Sequence, residues 1–169
     1  LLFASGAMAQ SVMEQFSKAL ADRGGAIESI SCRFEQERQM QLLARPVKKQ
    51  GAFHYLRADR LLLAFDDGDY ICMTPTHFQL LNGGVKQRVK VQSNPMLREL
   101  NRILSACMTG DVEALATGFM PRVQQTPSGY EVFLEPTRGR MAGRMKSIVM
   151  QFDGATMTLT SLRMEELSG

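Results

Sequence analysis

From residue 29 onward, the sequence is divided into short runs in which apolar and polar residues alternate. A period of two is typical of strands that bury one face and solvate the other. The runs are separated by turns such as Asp66-Asp67-Gly68 and Asn82-Gly83, whose residue types tight hairpins require. This pattern predicts an antiparallel sheet whose strands follow one another along the chain. After the first strand, the strands are expected at 47–56, 60–65, 69–74, 77–81, 85–92, 120–125, 130–135, 145–152 and 156–165.

The first strand is predicted to be long. Its apolar parity is set by Ile30, Cys32 and Phe34, and it continues at Met40 and Leu42. The residues of the other parity are mostly polar, so one face of this strand is expected to be solvated.

Two segments carry apolar residues at helical spacing instead. The segment 10–23 is amphipathic and is followed by a glycine pair, which predicts a helix of about four turns. The second segment begins at Asn94-Pro95, a good N-cap followed by a good first helical residue, and ends at Gly110. The apolar stripe of this second helix consists of Met96, Leu97, Leu100, Ile103, Leu104 and Cys107.

Together these elements predict a mainly β, α+β fold. The two amphipathic helices need an apolar surface to cover, and one face of the sheet supplies it. A strongly curved antiparallel sheet of about ten strands would form an open, incomplete β-barrel with the helices across its concave side. With 169 residues, 44% of them hydrophobic, the chain has the length of one domain, which we expect to span 10–169.

The first nine residues differ in character from the rest of the chain. They are apolar and uncharged, and Ala7-Met8-Ala9 fits the small-x-small pattern of a secretory cleavage site. We therefore expect 1–9 to be a signal-peptide remnant that is cleaved between Ala9 and Gln10, which makes the protein an exported one. The alternative is that these residues form the helical start of the folded domain.

The three cysteines, Cys32, Cys72 and Cys107, are far apart and show no Cys-x-x-Cys spacing. Each lies among apolar residues, where a free cysteine behaves as a small hydrophobic side chain. An exported protein could form one disulfide from them, but we favour three buried thiols.

Several short motifs occur in a fixed order along the chain. They are Phe34-Glu35-Gln36, the hairpin 51–57 with 61–65, Asp67-Gly68, the segment 94–97 through Gly110-Asp111, and the segment 129–136. In this order they resemble the LolA-like family of periplasmic outer-membrane lipoprotein carriers, over residues 10–165. Two features depart from the family: Ala58 stands where it has a proline, and the chain has no tryptophan. Because the family continues beyond a point like Glu165, we also expect the chain to be short at its C-terminus.

The resemblance implies a periplasmic carrier that shields the acyl chains of lipoproteins in an apolar cavity under its helices, for transfer towards the outer membrane. It also implies an inner-membrane lipoprotein-releasing complex of the ABC type as loading partner, and an outer-membrane acceptor. In carriers with a helical lid, an arginine at the position of Arg57 holds the lid closed through hydrogen bonds to backbone, so the resemblance implies a lid-holding role for Arg57. We expect the carrier to be a monomer.

A carrier of this kind needs a continuous apolar lining, because each buried methylene of an acyl chain contributes about 0.8 kcal/mol. The candidate lipid-binding residues are Phe34, Met40, Phe53, Tyr55, Leu63 and Phe65 on strands, and Phe16, Met96, Leu100, Ile103 and Leu104 on helices. The alternative is that each of them packs in an ordinary core, as most buried apolar residues do. The twelve methionines are compatible with either role, since their flexible side chains fill gaps in cores and also line adaptable binding surfaces.

Basic residues cluster at two places, one formed by Lys86, Arg88 and Lys90 and the other by Arg138, Arg140, Arg144 and Lys146. Either cluster could contact lipid headgroups, an anionic membrane surface or an acidic partner. The first is also compatible with the solvated face of a strand. The net charge of +3 is too small to indicate a nucleic-acid partner.

The sequence does not indicate catalysis. His54 and His77 are the two histidines, and neither has a second histidine or a carboxylate at metal-ligand spacing. Asp66, Asp67 and Asp69 lack the spacing of a Ca²⁺ loop and are predicted to form a turn. Nucleophile and phosphate-loop motifs are absent, so we expect no enzyme, metal or cofactor. The alternative to a carrier is a non-enzymatic envelope interaction or sensor domain that uses the same open barrel with a filled core.

Overall fold

The structure is a computed structural model that describes residues 3–40, 43–137 and 142–167. Its helices are α1 (Phe3–Gly24), α2 (Pro95–Thr109) and α3 (Val112–Ala116), and a 3₁₀ turn lies at Val91–Ser93. Its strands are β1 (Ser29–Arg38), β2 (Val47–Leu56), β3 (Arg60–Phe65), β4 (Tyr70–Met73), β5 (His77–Asn82), β6 (Val85–Lys90), β7 (Phe119–Thr126), β8 (Gly129–Pro136), β9 (Met145–Asp153) and β10 (Leu159–Glu166). The predicted mainly β, α+β class with antiparallel strands is confirmed.

The strands form two open sheets, whereas the sequence predicted one. Strands β1 to β6 pair in chain order in a six-stranded sheet, and the second sheet has the order β10-β9-β8-β7. The first sheet belongs to a compact unit, Ile27–Asn101, which we call the sheet unit. The second belongs to another, formed by Leu1–Ala26 and Arg102–Ser168, which we call the helical unit. Helices α2 and α3 separate β6 from β7 along the chain, and these two strands do not pair within the described residues.

The hairpins of the sheet unit follow the turn residues of the sequence. Between β5 and β6, Gly83 and Gly84 have φ values of 57° and 84°, and Asn82 pairs with Val85. Positive φ at both central residues gives a turn whose twist matches that of its strands. Between β2 and β3, Ala58 has a φ of 57°, in the left-handed region that non-glycine residues rarely occupy.

The helical unit has its core between α1 and the four-stranded sheet. The ring of Phe16 packs at 5.5 Å from that of Tyr130 and at 5.1 Å from that of Phe152. Helix α1 also crosses the end of α2 closely: a Cβ on Gly24 would clash with the backbone of Thr109 and Gly110. Glycine therefore permits this contact between the two helices.

Helix α1 begins earlier than the sequence predicted. It starts at Phe3 instead of residue 10, so residues 3–9 belong to the same helix as the amphipathic segment. That the first nine residues are a cleaved leader, and that 10–169 forms a single domain, both stay predictions.

The first strand is shorter than predicted. It ends at Arg38, which pairs with Val47 at the start of β2, so no partner backbone extends the ladder beyond this pair. Met40 lies past the strand and is 40% exposed, which excludes it from the sheet face that it was predicted to share. Leu42 lies outside the described residues.

All three cysteines are free thiols, but they are not all buried. Cys32 is exposed because β1 is an edge strand, Cys72 is half-buried, and only Cys107 is fully enclosed. Cys32 shares a sheet face with Phe53, whereas Cys72 pairs with Leu62 on the opposite face. These two cysteines therefore cannot form a disulfide within the sheet unit.

Candidate functional site

One face of the six-stranded sheet is mainly apolar; the same face carries Gln87 on the edge strand β6, and Gln36 and Lys49 at its other end. Residues directly opposite each other in antiparallel strands present their side chains on the same face, so the pairing register defines its members. We call this surface the apolar face; it consists of Ile30, Cys32, Phe34, Phe53, Tyr55, Leu61, Leu63, Phe65, Ile71, Met73, Phe78, Leu80 and Val89. The structure thus brings together five of the six predicted strand candidates, Phe34, Phe53, Tyr55, Leu63 and Phe65.

The apolar face contains two parallel rows that differ in accessibility. The buried row consists of Tyr55, Leu61, Met73 and Phe78. The accessible row consists of Phe53, Leu63, Ile71 and Leu80, all of them half-buried. With Cys32 at its start, the accessible row crosses five strands and is about 19 Å long at the usual strand spacing. A half-buried strip of this length is an apolar surface on which a long acyl chain could lie.

A third row is organised around a glycine. Gly51 pairs with Phe34 on one side and with Phe65 on the other, and the two rings meet edge to face at 5.3 Å. A Cβ on Gly51 would lie 2.8 Å from Cε1 of Phe34 and would also clash with the Ala64 carbonyl. The glycine therefore lets the two aromatic rings meet across three strands. This contact gives a physical reason why Phe34 and Gly51 occur in the motifs of the sequence.

A charged cluster lies at the Phe65 end of the apolar face. Lys49 Nζ donates to carboxylates of Asp67 and Asp69 at 2.8 and 2.7 Å, and it lies 5.1 Å from the centre of the Phe65 ring. The hydrogen bond from Lys49 lowers the pKa of Asp67, and the bonds to both carboxylates raise the pKa of Lys49. The predicted turn is confirmed, because Asp67 Oδ1 accepts from the backbone N–H of Asp69 at 3.1 Å. The role of Lys49 was not predicted.

Arg57 lies at the opposite end, in the turn that follows Tyr55. Its Nε donates to the backbone carbonyl of Ile27 at 2.7 Å, and its backbone N–H donates to the backbone carbonyl of Glu28 at 2.9 Å. These bonds fix the segment that enters β1. Burial raises the pKa of Tyr55, and the positive charge of Arg57 partly offsets this shift. Arg57 therefore bonds to the backbone just before β1, and the lid-holding role that the resemblance implies stays a prediction.

Four of the five predicted helix candidates lie in α2, and the fifth, Phe16, lies in α1. Asn94 Oδ1 caps this helix by accepting from the N–H groups of Met96 and Leu97 at 3.1 and 3.2 Å, so the predicted N-cap is confirmed. Met96 and Leu100 are half-buried, whereas Ile103 and Leu104, which belong to the helical unit, are buried.

The helical unit contains a small apolar cavity of about 20 Å³ beside Phe16. Its walls come from α1, α3, β7 and β8, and they include Met13, Leu115 and Val132. A space of this size holds about one water molecule, so it is too small for an acyl chain. Phe16 is accordingly a core residue of the helical unit.

The solvated face of the six-stranded sheet carries one pair that sequence reasoning missed. Ser31 Oγ and His54 Nδ1 lie 3.0 Å apart, because the two residues pair directly across β1 and β2. Both are exposed on a strand surface, and neither contacts a carboxylate among the described residues, so nothing orients the imidazole as a base. The pairing register, which the sequence alone does not provide, was needed to find this pair.

The second basic cluster is only partly described. Arg138 and Arg140 lie outside the described residues, as does Met141. Lys146 forms an ion pair with Glu165 at 2.8 Å, so one positive charge of this cluster is neutralised within the fold. In the described ranges, no group of three His, Cys, Asp or Glu side chains could hold a metal ion. Nor does any helix described here have the length and apolarity needed to cross a membrane.

The chain was compared with known proteins at the level of sequence and of structure. No family model matches it, and no curated protein is similar to it in sequence. A LolA superfamily protein from Nitrosomonas europaea is similar in structure, with a TM-score of 0.40 and 11% identity, over 95% of this chain and 73% of that one. A chain of the complex between the CwlD amidase and the GerS lipoprotein from Clostridioides difficile is similar with a TM-score of 0.42 and 14% identity, over 95% and 87%. These likenesses assign neither a family nor a function, and the candidate site rests on the geometry of the apolar face.

Proposed function

We propose that this protein is a periplasmic carrier that binds the acyl chains of lipoproteins, or other hydrophobic ligands, on the apolar face of its six-stranded sheet. The accessible row of Phe53, Leu63, Ile71 and Leu80 is the observation that carries the proposal. In this role the protein catalyses no reaction and delivers its ligand towards the outer membrane.

The accessible row suits a chain-like ligand for a physical reason. Its half-buried side chains lie beside the fully buried Tyr55, Leu61, Met73 and Phe78, which support them from one side. Contact with an acyl chain would remove the remaining exposed apolar surface from water, which is favourable by about 25 cal/mol for each Å² buried. Because apolar contacts are not directional, such a row would accept chains that differ in length and attachment.

The proposed carrier has partners on both membranes. An inner-membrane lipoprotein-releasing complex of the ABC type would load it, and an outer-membrane acceptor would take the cargo, as the LolA-like resemblance of the sequence implies. The carrier would act as a monomer, exported with the help of the leader expected at residues 1–9.

Adjacent residues of β3 allow a matched test of the binding surface. Leu63 lies on the apolar face and Leu62 on the solvated face, and both are half-buried. We expect the wild-type protein to bind a diacylated peptide. Leu63→Gln should weaken this binding by about tenfold or more, since it places an amide in the accessible row. Leu62→Gln should leave the affinity within about twofold, and urea unfolding of both variants provides the control for folding.

Native mass spectrometry of the protein purified from its own cell envelope gives an independent test. Co-purification of a lipid or lipoprotein would support the carrier. A mass without ligand, together with no uptake of acylated peptide, would exclude the carrier and favour the envelope interaction or sensor domain. Equal loss of affinity in the Leu62→Gln and Leu63→Gln variants would show that ligand does not bind on the apolar face.

A further inference from the structure

Strand β6 forms one edge of the six-stranded sheet and carries three exposed cations. We call Lys86, Arg88 and Lys90 the basic stripe. None of the three forms an ion pair with another described residue. The sequence contains no acidic residue between Asp69 and Glu99, so no neighbour along the chain neutralises them.

On β1 and β2, at the other side of the sheet, most cations form ion pairs. Arg33 binds Asp66 through two hydrogen bonds, and Lys48 contacts Glu37 at 3.2 Å. Lys49 is shared between two aspartates at the end of the apolar face. Three of the four cations of β1 and β2 are therefore ion-paired within the fold, the exception being Arg38, whereas all three cations of β6 are unpaired within the described residues.

The register places the basic stripe on a single face. Alternate residues of a strand lie about 7 Å apart on the same side, so the three cations form a row about 14 Å long. Their partners on β5 are His77, Gln79 and Leu81, and none of these is acidic. Val89 belongs to the apolar face, so the basic stripe lies on the other side of the sheet from the proposed ligand surface.

We propose that the basic stripe docks the protein on an anionic phospholipid surface. A row of unpaired lysine and arginine side chains is complementary in charge to a layer of lipid phosphates. Each such residue near an anionic bilayer strengthens binding by a factor of roughly five. Because the attraction acts between solvated charges, it weakens as salt shortens the Debye length. Docking of this kind would hold a carrier at the membrane where cargo is loaded or released.

Vesicle sedimentation of the purified protein tests this proposal. We expect binding to vesicles that contain phosphatidylglycerol and none to vesicles of pure phosphatidylcholine, with the binding lost at high salt. The triple variant Lys86→Gln, Arg88→Gln and Lys90→Gln should bind anionic vesicles on the order of a hundredfold more weakly.

The matched control variant is Lys48→Gln, Arg60→Gln and Lys146→Gln. It removes the same net charge from exposed positions whose cations are ion-paired. We expect its vesicle binding to stay within several fold of the wild type, because the stripe is intact.

Three results would overturn the proposal. The first is no binding to anionic vesicles, and the second is an equal loss in both triple variants, which would show that net charge alone is responsible. The third is a stripe variant that binds vesicles as the wild type does but aggregates. In that case the three cations would serve only to prevent edge-to-edge pairing of β6 with another chain, a common use of lysine on edge strands. The experiment uses no cargo, so its result is separate from that of the acyl-binding test.

Discussion

Replacement of Gly51 by alanine tests the aromatic contact at the end of the apolar face. The new Cβ would lie 2.8 Å from the ring of Phe34 and 2.9 Å from the carbonyl carbon of Ala64, and it would clash with the Ala64 oxygen. The ring can rotate away, but the Ala64 backbone belongs to the β2–β3 ladder and can move only if the ladder distorts. Gly51→Ala should therefore be strongly destabilising even though alanine is the smallest possible addition.

Three contributions set the magnitude. Overpacking of a filled site costs about 1–3 kcal/mol. Displacement of Phe34 would forfeit its edge-to-face contact with Phe65, worth about 0.5–1.5 kcal/mol. The reduced freedom of the unfolded chain returns about 0.4–1 kcal/mol. We expect the free energy of unfolding to fall by about 2–3 kcal/mol, a large fraction of the stability of a typical domain.

Urea unfolding followed by circular dichroism measures this change. Gly25→Ala is the matched control, because the nearest atom to its new Cβ would be the Ala21 oxygen at an ordinary 3.8 Å. Combining Gly51→Ala with Phe34→Ala should recover part of the loss, with a coupling energy of about 1 kcal/mol. A loss below about 0.5 kcal/mol for Gly51→Ala would refute the argument from close approach. Additive effects in the double variant would assign the clash to the Ala64 backbone alone.

Two further predictions concern a backbone conformation and a buried thiol. Ala58→Pro, which introduces the residue of the LolA-like motif, should lower the free energy of unfolding by about 2 kcal/mol or more, because proline cannot adopt the φ of 57° at this position. The control variant Ala58→Gly should be neutral or slightly stabilising. A proline variant as stable as the wild type in urea unfolding would contradict this backbone conformation. Burial raises the pKa of the Cys107 thiol from 9.0 to about 12. Between these two pH values the thiol therefore stays protonated in the folded protein but ionises in the unfolded chain. The resulting stabilisation is fully present below about pH 9 and is lost as the pH rises towards 12, by about 1.4 kcal/mol at pH 10. Unfolding curves at about pH 8 and pH 10 should show a smaller pH effect in Cys107→Ala than in the wild type, and identical pH effects would place the thiol in a solvated site.

The local structure was largely predictable because local signals determine it. The alternating pattern of 47–56 and 60–65 predicted β2 and β3 with the observed limits. Asn94 and Gly110 predicted the limits of α2, because a capping side chain and a left-handed glycine act on the adjacent turn alone. Phe53 and Leu63 were both predicted as lining residues, and the register of β2 with β3 places them on one face.

Features that depend on distant pairing were not predictable in the same way. The sequence predicted that consecutive strands pair, but it does not show where this pairing is interrupted, so the division into two sheets was missed. The exposure of Cys32 depends on β1 being an edge strand, and the Ser31–His54 pair depends on the register of β1 with β2. The ion pairs of Lys49 require the β3–β4 turn to lie beside β2. In each case the physical cause is a contact between residues well separated along the chain, which propensity and periodicity do not encode.

The turn between β5 and β6 links the two proposed surfaces. Both are built from alternate residues, so a shift of one position along β6 would bring Arg88 to the apolar face and remove Val89 from it. The two-residue turn prevents this shift, because Gly83 and Gly84 both adopt positive φ and fix Asn82 opposite Val85. A residue with a Cβ would fit in space at either glycine, since no atom lies within 4 Å, but it would strain the backbone. The glycine pair therefore acts through conformation alone: it keeps the three cations of β6 off the apolar face and Val89 out of the basic stripe.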